Sequence, residues 1–507
     1  MPQLIGVKSL SQTCLDFVVN NMALLCEEPT SDFANSNQSI NSPFDQLPNK
    51  LLEEIISSLR NRGGLKQFLG ILAVPHLETL DLSDLNSEDQ SIVLDNSMQR
   101  CVNLKHLALW AVTNNDEFFT SFIPKLSKLQ VLDISCSDAD DSSLEVIGTY
   151  CKDLRVLDFN TCQNITDIGV KGLCDGATRN LGSGGDGLGL PKSLLKLGSI
   201  STSITHAGIQ IILENFHSLQ VWDMATVQNL TEIHKDVFLN QKLEIPKYSL
   251  LSLEIDPYAS YIPKSLGFVL SLCPSVIRVE IEIDGYEGLT DSDLLDLLSL
   301  KNLRNFKMSG GDSPFNGNVT FGGGVTPILK AFGNSSLKEL SLSKLSDVNI
   351  LVITQLCPNL HSLDLIDNLS YFTAKLVKEW VKTERTEPKV LKQLERLRLL
   401  GSGIPREHLI LLLSSPLLVK ITIVRCSTFD DDILQKVARI QTFSNLEELR
   451  IVSCQTVTEK GIDVFMNAQN PLIKIVLYLC RQISKSNVEC WERQAKKNNW
   501  QLLIVYH

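Results

Sequence analysis

The feature that most constrains this chain is a short apolar pattern, L-x-x-L-x-L, that recurs along most of its length. Fifteen copies begin at Leu77, Leu104, Leu129, Leu154, Leu194, Leu219, Leu250, Val276, Leu303, Leu337, Leu360, Leu394, Leu418, Leu446 and Leu472. Most intervals are 23 to 28 residues, and four are longer, at 40, 31, 34 and 34 residues. Self-similarity at this period predicts an elongated array of stacked units, which suits a chain of 507 residues.

Each copy predicts a short strand, a turn and a helix. In the copy that begins at Leu446, the side chains of Leu449 and Ile451 are expected to face the core. The residues that follow have helical spacing, and Thr458 is placed to cap that helix. One unit cannot bury its apolar face alone, so the stacked units are expected to build one continuous core.

The cysteines fit the same period. Four of them lie eight residues after the leading apolar position: Cys162, Cys426, Cys454 and Cys480. Four others lie three residues before it, at predicted helix ends: Cys101, Cys151, Cys273 and Cys357. Together with the I-T-D-x-G sequence at residues 165–169, this spacing resembles the cysteine-containing class of leucine-rich repeats. The resemblance implies an α/β horseshoe solenoid over residues 65–507, of a class common in receptors of ubiquitin ligases.

Residues 1–64 lie outside the repeat and predict a small helical region. Four side chains of its first segment share one helical face: Leu10, Cys14, Phe17 and Val18. Ser9 is placed to cap that helix. A polar stretch without periodicity predicts a mobile loop at about residues 27–45. A second amphipathic helix is predicted from Pro48, whose missing N–H suits a first helical turn.

The two helical segments resemble the two halves of a VHL box. The elongin-binding half, S-L-x-x-x-C-x-x-x-aliphatic, is matched by Ser9, Leu10, Cys14 and Val18. The cullin-selecting half, aliphatic-P-x-x-aliphatic-x-x-x-aliphatic, is matched by Leu47, Pro48, Leu51 and Ile55. The resemblance implies that Leu10 inserts into an apolar pocket of elongin C, in its complex with elongin B. It also implies that the Pro48 helix contacts a cullin, both contacts being of the helix-in-groove kind.

A VHL box joined to leucine-rich repeats resembles the zyg-eleven and zer-one substrate receptors of ubiquitin ligases. The armadillo-like domain of that family is not expected here, because the repeat pattern continues to Leu477, near the last residue. Two alternatives stay open. Residues 47–59 also resemble the start of an F-box, which binds a Skp-type adaptor. A repeat array also needs an N-terminal cap, so a plain cap on a non-ligase scaffold is the second alternative.

Charge and composition exclude several classes of function. The formal net charge is −11, so nucleic acid and anionic membranes would be repelled at long range. No run of about eighteen apolar residues is present, and no signal peptide is expected. Thirteen cysteines without a close C-x-x-C pair predict reduced thiols, as in the cytoplasm or nucleus, and no zinc site.

Patterns for catalysis or cofactor binding are missing. The eight histidines are scattered without metal-ligand spacing. Residues 182–187 match G-x-G-x-x-G, but they follow a predicted helix, whereas a dinucleotide site needs a preceding strand. They belong to one of three predicted insertions, at residues 177–191, 310–324 and 381–392. We therefore expect a non-catalytic protein that uses no cofactor or metal.

The fifth position of each strand pattern is expected to face the concave surface of the horseshoe. In the first half of the array it is mostly acidic, and we call these side chains the acidic ribbon: Asp81, Asp133, Asp158, Asp223, Glu254 and Glu280. The second half is mixed and mildly basic. The acidic ribbon predicts a site for a basic segment of a protein substrate. The alternative is that L-D-L is simply frequent in this class of repeat.

Overall fold

The computed structural model describes most of the chain. The described residues are 10–25, 42–83, 85, 100–113, 118–178, 190–240, 244–255, 260–282, 288–310, 319–368, 389–401, 403–467 and 471–507. Ser9, most of the predicted loop at 27–45 and the G-x-G-x-x-G stretch at 182–187 lie outside them. Large parts of the three predicted insertions also lie outside.

Within the described residues, four helices precede the first strand: α1 Leu10–Asn20, α2 Met22–Leu25, α3 Asn49–Asn61 and α4 Leu65–Leu72. The strands are β1 Thr79–Asp81, β2 His106–Ala108, β3 Val131–Asp133, β4 Val156–Asp158, β5 Lys196–Gly198, β6 Val221–Trp222, β7 Ser252–Ile255, β8 Arg278–Glu282, β9 Asn305–Ser309, β10 Glu339–Ser343, β11 Ser362–Ile366, β12 Arg396–Leu400, β13 Lys420–Val424, β14 Glu448–Val452, β15 Lys474–Tyr478 and β16 Leu503–Tyr506.

Helices connect most of these strands. They are α5 Phe118–Phe122, α6 Asp141–Tyr150, α7 Asp167–Thr178, α8 Leu190–Ser193, α9 His206–Asn215, α10 Val227–Ile233, α11 Lys235–Leu239, α12 Ser265–Leu272, α13 Asp291–Leu294, α14 Thr326–Phe332, α15 Ile350–Leu356, α16 Arg406–Leu413, α17 Asp431–Ile440, α18 Glu459–Ile462 and α19 Lys485–Lys497. Short 3-10 helices lie at Ile123–Lys125, Leu295–Ser299 and Asp463–Phe465, and a π-helical turn lies at Phe321–Val325.

The strands form two parallel sheets in which sequence order is also spatial order. One sheet contains β1 to β6 and the other contains β7 to β16. Each predicted copy of the apolar pattern produces one strand, which begins two residues after the leading apolar residue. This confirms the leucine-rich-repeat solenoid. The strand β16 lies beyond the fifteen copies and was not predicted.

The break between the sheets falls at β6, the shortest strand. Across it, the Leu251 amide still donates to the Gln220 carbonyl at 2.8 Å, and Thr226 forms an isolated parallel bridge with Glu254. The concave surface therefore continues from one sheet to the next.

Alternation within each strand builds the core. In β14, Leu449 and Ile451 are fully buried, as predicted, and Glu448 and Arg450 lie on the solvent side. The Thr458 hydroxyl accepts a hydrogen bond from the Lys460 amide, which confirms that residue as a helix cap.

The periodic cysteines occupy the buried positions expected of them. The thiol of Cys162 donates to the Ile134 carbonyl at 3.2 Å, and that of Cys480 donates to the Ile451 carbonyl at 3.5 Å. Burial raises the pKa of Cys151 and of Cys454 to about 12. Thiols of this kind are inert packing groups in the repeat core rather than nucleophiles.

The N-terminal helices share the core of the repeats. Leu52 and Leu59 of α3 and Leu69 of α4 are buried in the same apolar cluster as the strand leucines. The carbonyl of Leu47 lies 2.7 Å from Nε2 of His76, close to the first strand. In the predicted loop, the last residues (42–45) are described, and they form a turn in which Phe44 is buried.

Candidate functional site: an N-terminal helical box and a concave sheet surface

The helix α1 has two apolar faces, and only one of them is packed. Val19 and Met22 are buried in the common core, and Leu15 and Val18 pack against it while half-buried. The opposite face is open to solvent. Leu10, Cys14 and Phe17 recur on it at intervals of four and three residues, and Leu24 follows in α2, seven residues after Phe17.

The open face is strongly exposed. The exposed fraction is 81% for Leu10, 63% for Phe17 and 80% for Leu24, and Cys14 is also exposed. Soluble proteins leave single apolar side chains in water without consequence, but an aligned row of them marks a surface for a partner. We call Leu10, Cys14, Phe17 and Leu24 the α1 stripe.

Polar contacts hold α1 against the end of α3. The Arg62 guanidinium, just after α3, donates to the Asp16 carboxylate at 3.0 Å and to the Asn20 side chain. Because these contacts come from the flank of α1, they fix the helix without covering the α1 stripe.

The start of α3 is also divided between core and solvent. Pro48 precedes its first residue and is exposed, and Leu51 is 37% exposed. Ile55 is 3% exposed and lies in the core, and Leu47 is half-buried against it. Of the predicted adaptor-binding residues that the structure describes, Leu10, Cys14, Pro48 and Leu51 therefore lie on the surface. Val18 and Ile55 face the core side of their helices, and Ser9 lies outside the described residues.

The family pattern did not include two members of the α1 stripe, Phe17 and Leu24. Their intervals from Cys14 and from each other, three and seven residues, are helical. That spacing is the sequence signal for both. Which of the two apolar faces of α1 is packed cannot be deduced from spacing alone.

The acidic ribbon lies on the concave surface as predicted, but most of its carboxylates already have partners in the chain. Asp81 forms an ion pair with Arg60 at the end of α3. The Ser135 hydroxyl lies between two members of the ribbon, 2.6 Å from Asp133 and 2.8 Å from Asp158. The first contact ties the N-terminal box to β1, and the second joins β3 to β4.

The next ribbon member, Asp223, is partly internal. Its carboxylate accepts from the Ser199 amide at 3.0 Å, and Gly198 has no side chain to separate it from Asp158. A Cβ at Gly198 would lie 2.5 Å from an Asp158 oxygen. Burial raises the pKa of Asp223, and the nearby Asp158 charge raises it further.

The last two ribbon residues face each other across β7 and β8. Burial and then the adjacent Glu280 and Asp223 charges raise the pKa of Glu254. Glu280 in turn forms an ion pair with Lys307 on β9. The ribbon therefore ends where the concave surface becomes basic.

The described residues contain neither a cluster of potential metal ligands nor a helix that could span a membrane. No group of three or more His, Cys, Asp or Glu side chains in the described part of the chain is arranged to hold a metal ion. None of the helices described above is long and apolar enough to cross a membrane.

Comparison with known proteins finds remote likenesses among solved structures. No family model matches the chain. A chain in the crystal structure of the yeast Rad7 and Elc1 complex is 16% identical, with a TM-score of 0.48 over 92% of this chain and 98% of that chain. A leucine-rich-repeat protein of Leptospira interrogans is 17% identical, with a TM-score of 0.32 over 98% of each chain. The function proposed below rests on the residues of this chain.

Proposed function

We propose that this chain is a substrate receptor of a cullin-type ubiquitin ligase and is not itself an enzyme. The α1 stripe would bind an elongin C-type adaptor in its complex with elongin B. The exposed start of α3 would contact a cullin, and the concave sheet would hold a protein substrate. The reduced, buried thiols suit a protein that works in the cytoplasm or nucleus.

The single observation that most strongly supports binding of an adaptor is the α1 stripe. An apolar side chain that moves from water into a fitted groove gains about 1.5–3 kcal/mol. Leu10, Phe17 and Leu24 are all exposed enough for that gain to be available. Anchors at i, i+4 and i+7 on one helix are the arrangement that a groove-binding helix presents.

A cap alone does not account for this surface. To cap the repeats, the helices need only the buried face, which contains Met22, Leu52 and Leu69. A second apolar face then costs solubility and offers nothing to stability. Because a cap does not require this second apolar face, we take the face as support for a bound partner.

The test is capture of purified adaptors by the full chain. We expect wild type to retain the elongin B/C complex and Leu10→Asp/Cys14→Asp to lose it. The matched control is Ile168→Asp/Ile440→Asp, which places the same charges on exposed apolar positions of repeat helices, 75% and 61% exposed. Capture of a Skp-type adaptor instead would select the F-box alternative. Capture of neither adaptor by wild type would refute the ligase proposal and favour a scaffold.

The cullin contact is separable from the adaptor contact. Leu51→Asp is expected to leave elongin B/C capture unchanged and to weaken recruitment of a cullin to the preformed complex, because Leu51 lies outside the α1 stripe. Loss of elongin C in this variant would show that α3, rather than α1, forms the adaptor surface.

A further inference from the structure

A row of apolar side chains crosses the C-terminal half of the concave surface. It contains the last outward residue of each of five neighbouring strands, in direct register: Ile366, Leu400, Val424, Val452 and Tyr478. All five are half-buried or exposed on the solvent side of the sheet. The two preceding strands have serine at this position, Ser309 and Ser343. We call the five residues the apolar row.

The apolar row is long enough to hold a peptide. Strands about 4.8 Å apart give it a length of about 19 Å, which an extended chain of about six residues would span. Tyr478 is 43% exposed and the adjacent Leu479 is 55% exposed, so the row ends in open apolar surface. Contiguous apolar surface on a rigid sheet is typical of an interaction site.

The remaining outward positions of these five strands are predominantly basic. Five of them are Arg396, Arg398, Lys420, Arg450 and Lys474, and two are acidic, Asp364 and Glu448. Five minus two gives this patch a formal charge of +3, on a chain whose total is −11. We call these five residues the basic flank. A local excess of positive charge attracts an acidic partner.

The basic flank is only partly neutralised within the chain. Glu448 is shared between Lys420 at 3.5 Å and Arg450 at 3.6 Å, and Arg396 pairs with Glu339 at 2.8 Å. Among the described residues, no ion pair joins Arg398 or Lys474 to a carboxylate. Burial raises the pKa of Asp364, and the nearby Arg398 charge opposes that rise. An arginine guanidinium that has no ion pair within the chain can bind a carboxylate of a partner through paired N–H donors.

A depression lies where the apolar row begins. It encloses about 450 Å³, and Ile366, Arg398, Asp364 and Lys307 are among the residues that line it. A depression of this size beside an apolar row can accept a side chain of the bound segment.

We propose that the apolar row and the basic flank together bind an extended, acidic polypeptide segment with apolar side chains. The apolar side chains of the segment cover the row, and its carboxylates meet Arg398, Arg450 and Lys474. The identification of this segment as part of a ubiquitination substrate rests on the receptor function proposed above. Most of the acidic ribbon lies on the other half of the horseshoe, and its last member, Glu280, meets this surface at the edge of the depression.

A polypeptide fits this surface better than a nucleic acid does. Single-stranded nucleic acids need aromatic platforms for their bases, but four of the five residues in the apolar row are aliphatic. The carboxylates of Asp364 and Glu448 lie within the patch and would repel a regularly spaced phosphate backbone. A peptide can instead place its acidic residues beside the guanidinium groups alone.

The experiment is selection of a random-peptide phage library on the immobilised full chain, followed by fluorescence anisotropy with the enriched peptides. We expect sequences that combine Asp or Glu with Leu, Ile or Val. Arg398→Glu/Arg450→Glu should weaken their binding about tenfold or more, as loss of charge-assisted hydrogen bonds does. Val424→Asp, at the centre of the apolar row, should weaken it similarly.

The matched control is Lys460→Glu/Lys485→Glu, which makes the same charge change in the first turns of α18 and α19. Equal loss in this control, enrichment of basic peptides, or tighter binding of a labelled oligouridylate would overturn the proposal. Absence of any peptide that distinguishes wild type from Val424→Asp would also overturn it. Each variant is assayed for elongin B/C capture in parallel, so failure at the concave surface is distinguishable from failure of the receptor function or of folding.

Discussion

The carboxylate of Asp431 accepts two hydrogen bonds from Thr458 in the next repeat, one from its backbone amide at 2.9 Å and one from its hydroxyl at 2.6 Å. Asp431 is the first residue of α17, and Thr458 caps α18. The same double contact recurs at three other junctions, in the pairs Asp141–Thr166, Asp167–Thr205 and Asp291–Thr320. These contacts join successive repeats on the helical side of the solenoid.

The contact explains a glycine three residues after each of these threonines. At Gly461 an added Cβ would lie 2.4 Å from an Asp431 oxygen, and at Gly208 it would lie 2.2 Å from an Asp167 oxygen. Such distances cannot be accommodated without displacing the carboxylate. The T-x-x-G spacing is therefore a packing requirement of the neighbouring repeat.

Asp431→Ala is expected to lower the free energy of unfolding by about 1–3 kcal/mol, because the Thr458 amide and hydroxyl lose their acceptor. Urea denaturation followed by circular dichroism measures the change. The control is Asp432→Ala at the adjacent position, where solvent screens the exposed ion pairs with Arg406 and Lys436, so a smaller loss is expected. Equal losses in the two variants would contradict a special role for the Asp431 contact.

Gly461→Ala is expected to destabilise the protein although alanine favours helix. Gly70→Ala in α4, where an added Cβ would meet nothing within 4 Å, should instead stabilise it by about 0.5–1 kcal/mol. In an Asp431→Ala background the Gly461 substitution should cost much less, since the obstructing carboxylate is gone. An unchanged cost in that double variant would refute the steric explanation.

Chemical labelling of the two exposed cysteines tests where the adaptor binds. Among the described residues Cys14 and Cys490 are exposed, whereas burial raises the pKa of Cys357 to about 12. We expect iodoacetamide to label Cys14 and Cys490 ahead of the buried thiols, as measured by peptide mass spectrometry. Excess elongin B/C should protect Cys14 and leave Cys490 reactive. Protection of neither site would count against the α1 stripe as the adaptor surface.

Charge reversal in the acidic ribbon tests our prediction of a basic substrate segment. Asp133→Lys/Asp158→Lys should weaken capture of a basic peptide and leave elongin B/C capture intact, because the ribbon is separate from the α1 stripe. Fluorescence anisotropy with a labelled Lys-rich peptide measures this. Asp236→Lys/Glu459→Lys, on helices, is the matched control, and equal loss in both would indicate non-specific attraction.

Asp223→Asn is expected to stabilise the protein more at neutral pH than near pH 4. Because burial raises the pKa of Asp223, the folded chain binds this proton more tightly than the unfolded chain does. The stability that comes from this site is therefore lost as pH rises above the ordinary aspartate pKa of about 4. Urea denaturation at the two pH values measures the difference between variant and wild type.

Asp293→Asn is expected to change the free energy of unfolding with the opposite pH dependence. Burial alone would raise the pKa of Asp293, but hydrogen bonds from Thr290 and the Lys264 amide bring it below the usual range. Its contribution is thus present at neutral pH and lost on acidification, so the asparagine variant should be destabilised mainly at neutral pH. The same pH trend in both variants would contradict these assignments.

The positions of fifteen strands, the buried cysteines and the Thr458 cap were determined by the sequence itself. Each depends on residues within a single repeat, where alternation and spacing specify which side chains face inward. The grouping of Leu10, Cys14 and Phe17 on one face of α1 was predictable for the same reason, since it follows from helical spacing.

Only the tertiary structure decided which apolar face of α1 is packed, where the sheet breaks and what lies beside each ribbon carboxylate. Val18 and Phe17 are adjacent in sequence, yet contact with α3 and the repeats leaves one against the core and the other in water. The apolar row likewise joins residues such as Ile366 and Leu400, which come from different repeats and meet through strand register. The repeat period assigns these residues to one position of successive copies, but the contacts between them depend on the packing of neighbouring repeats.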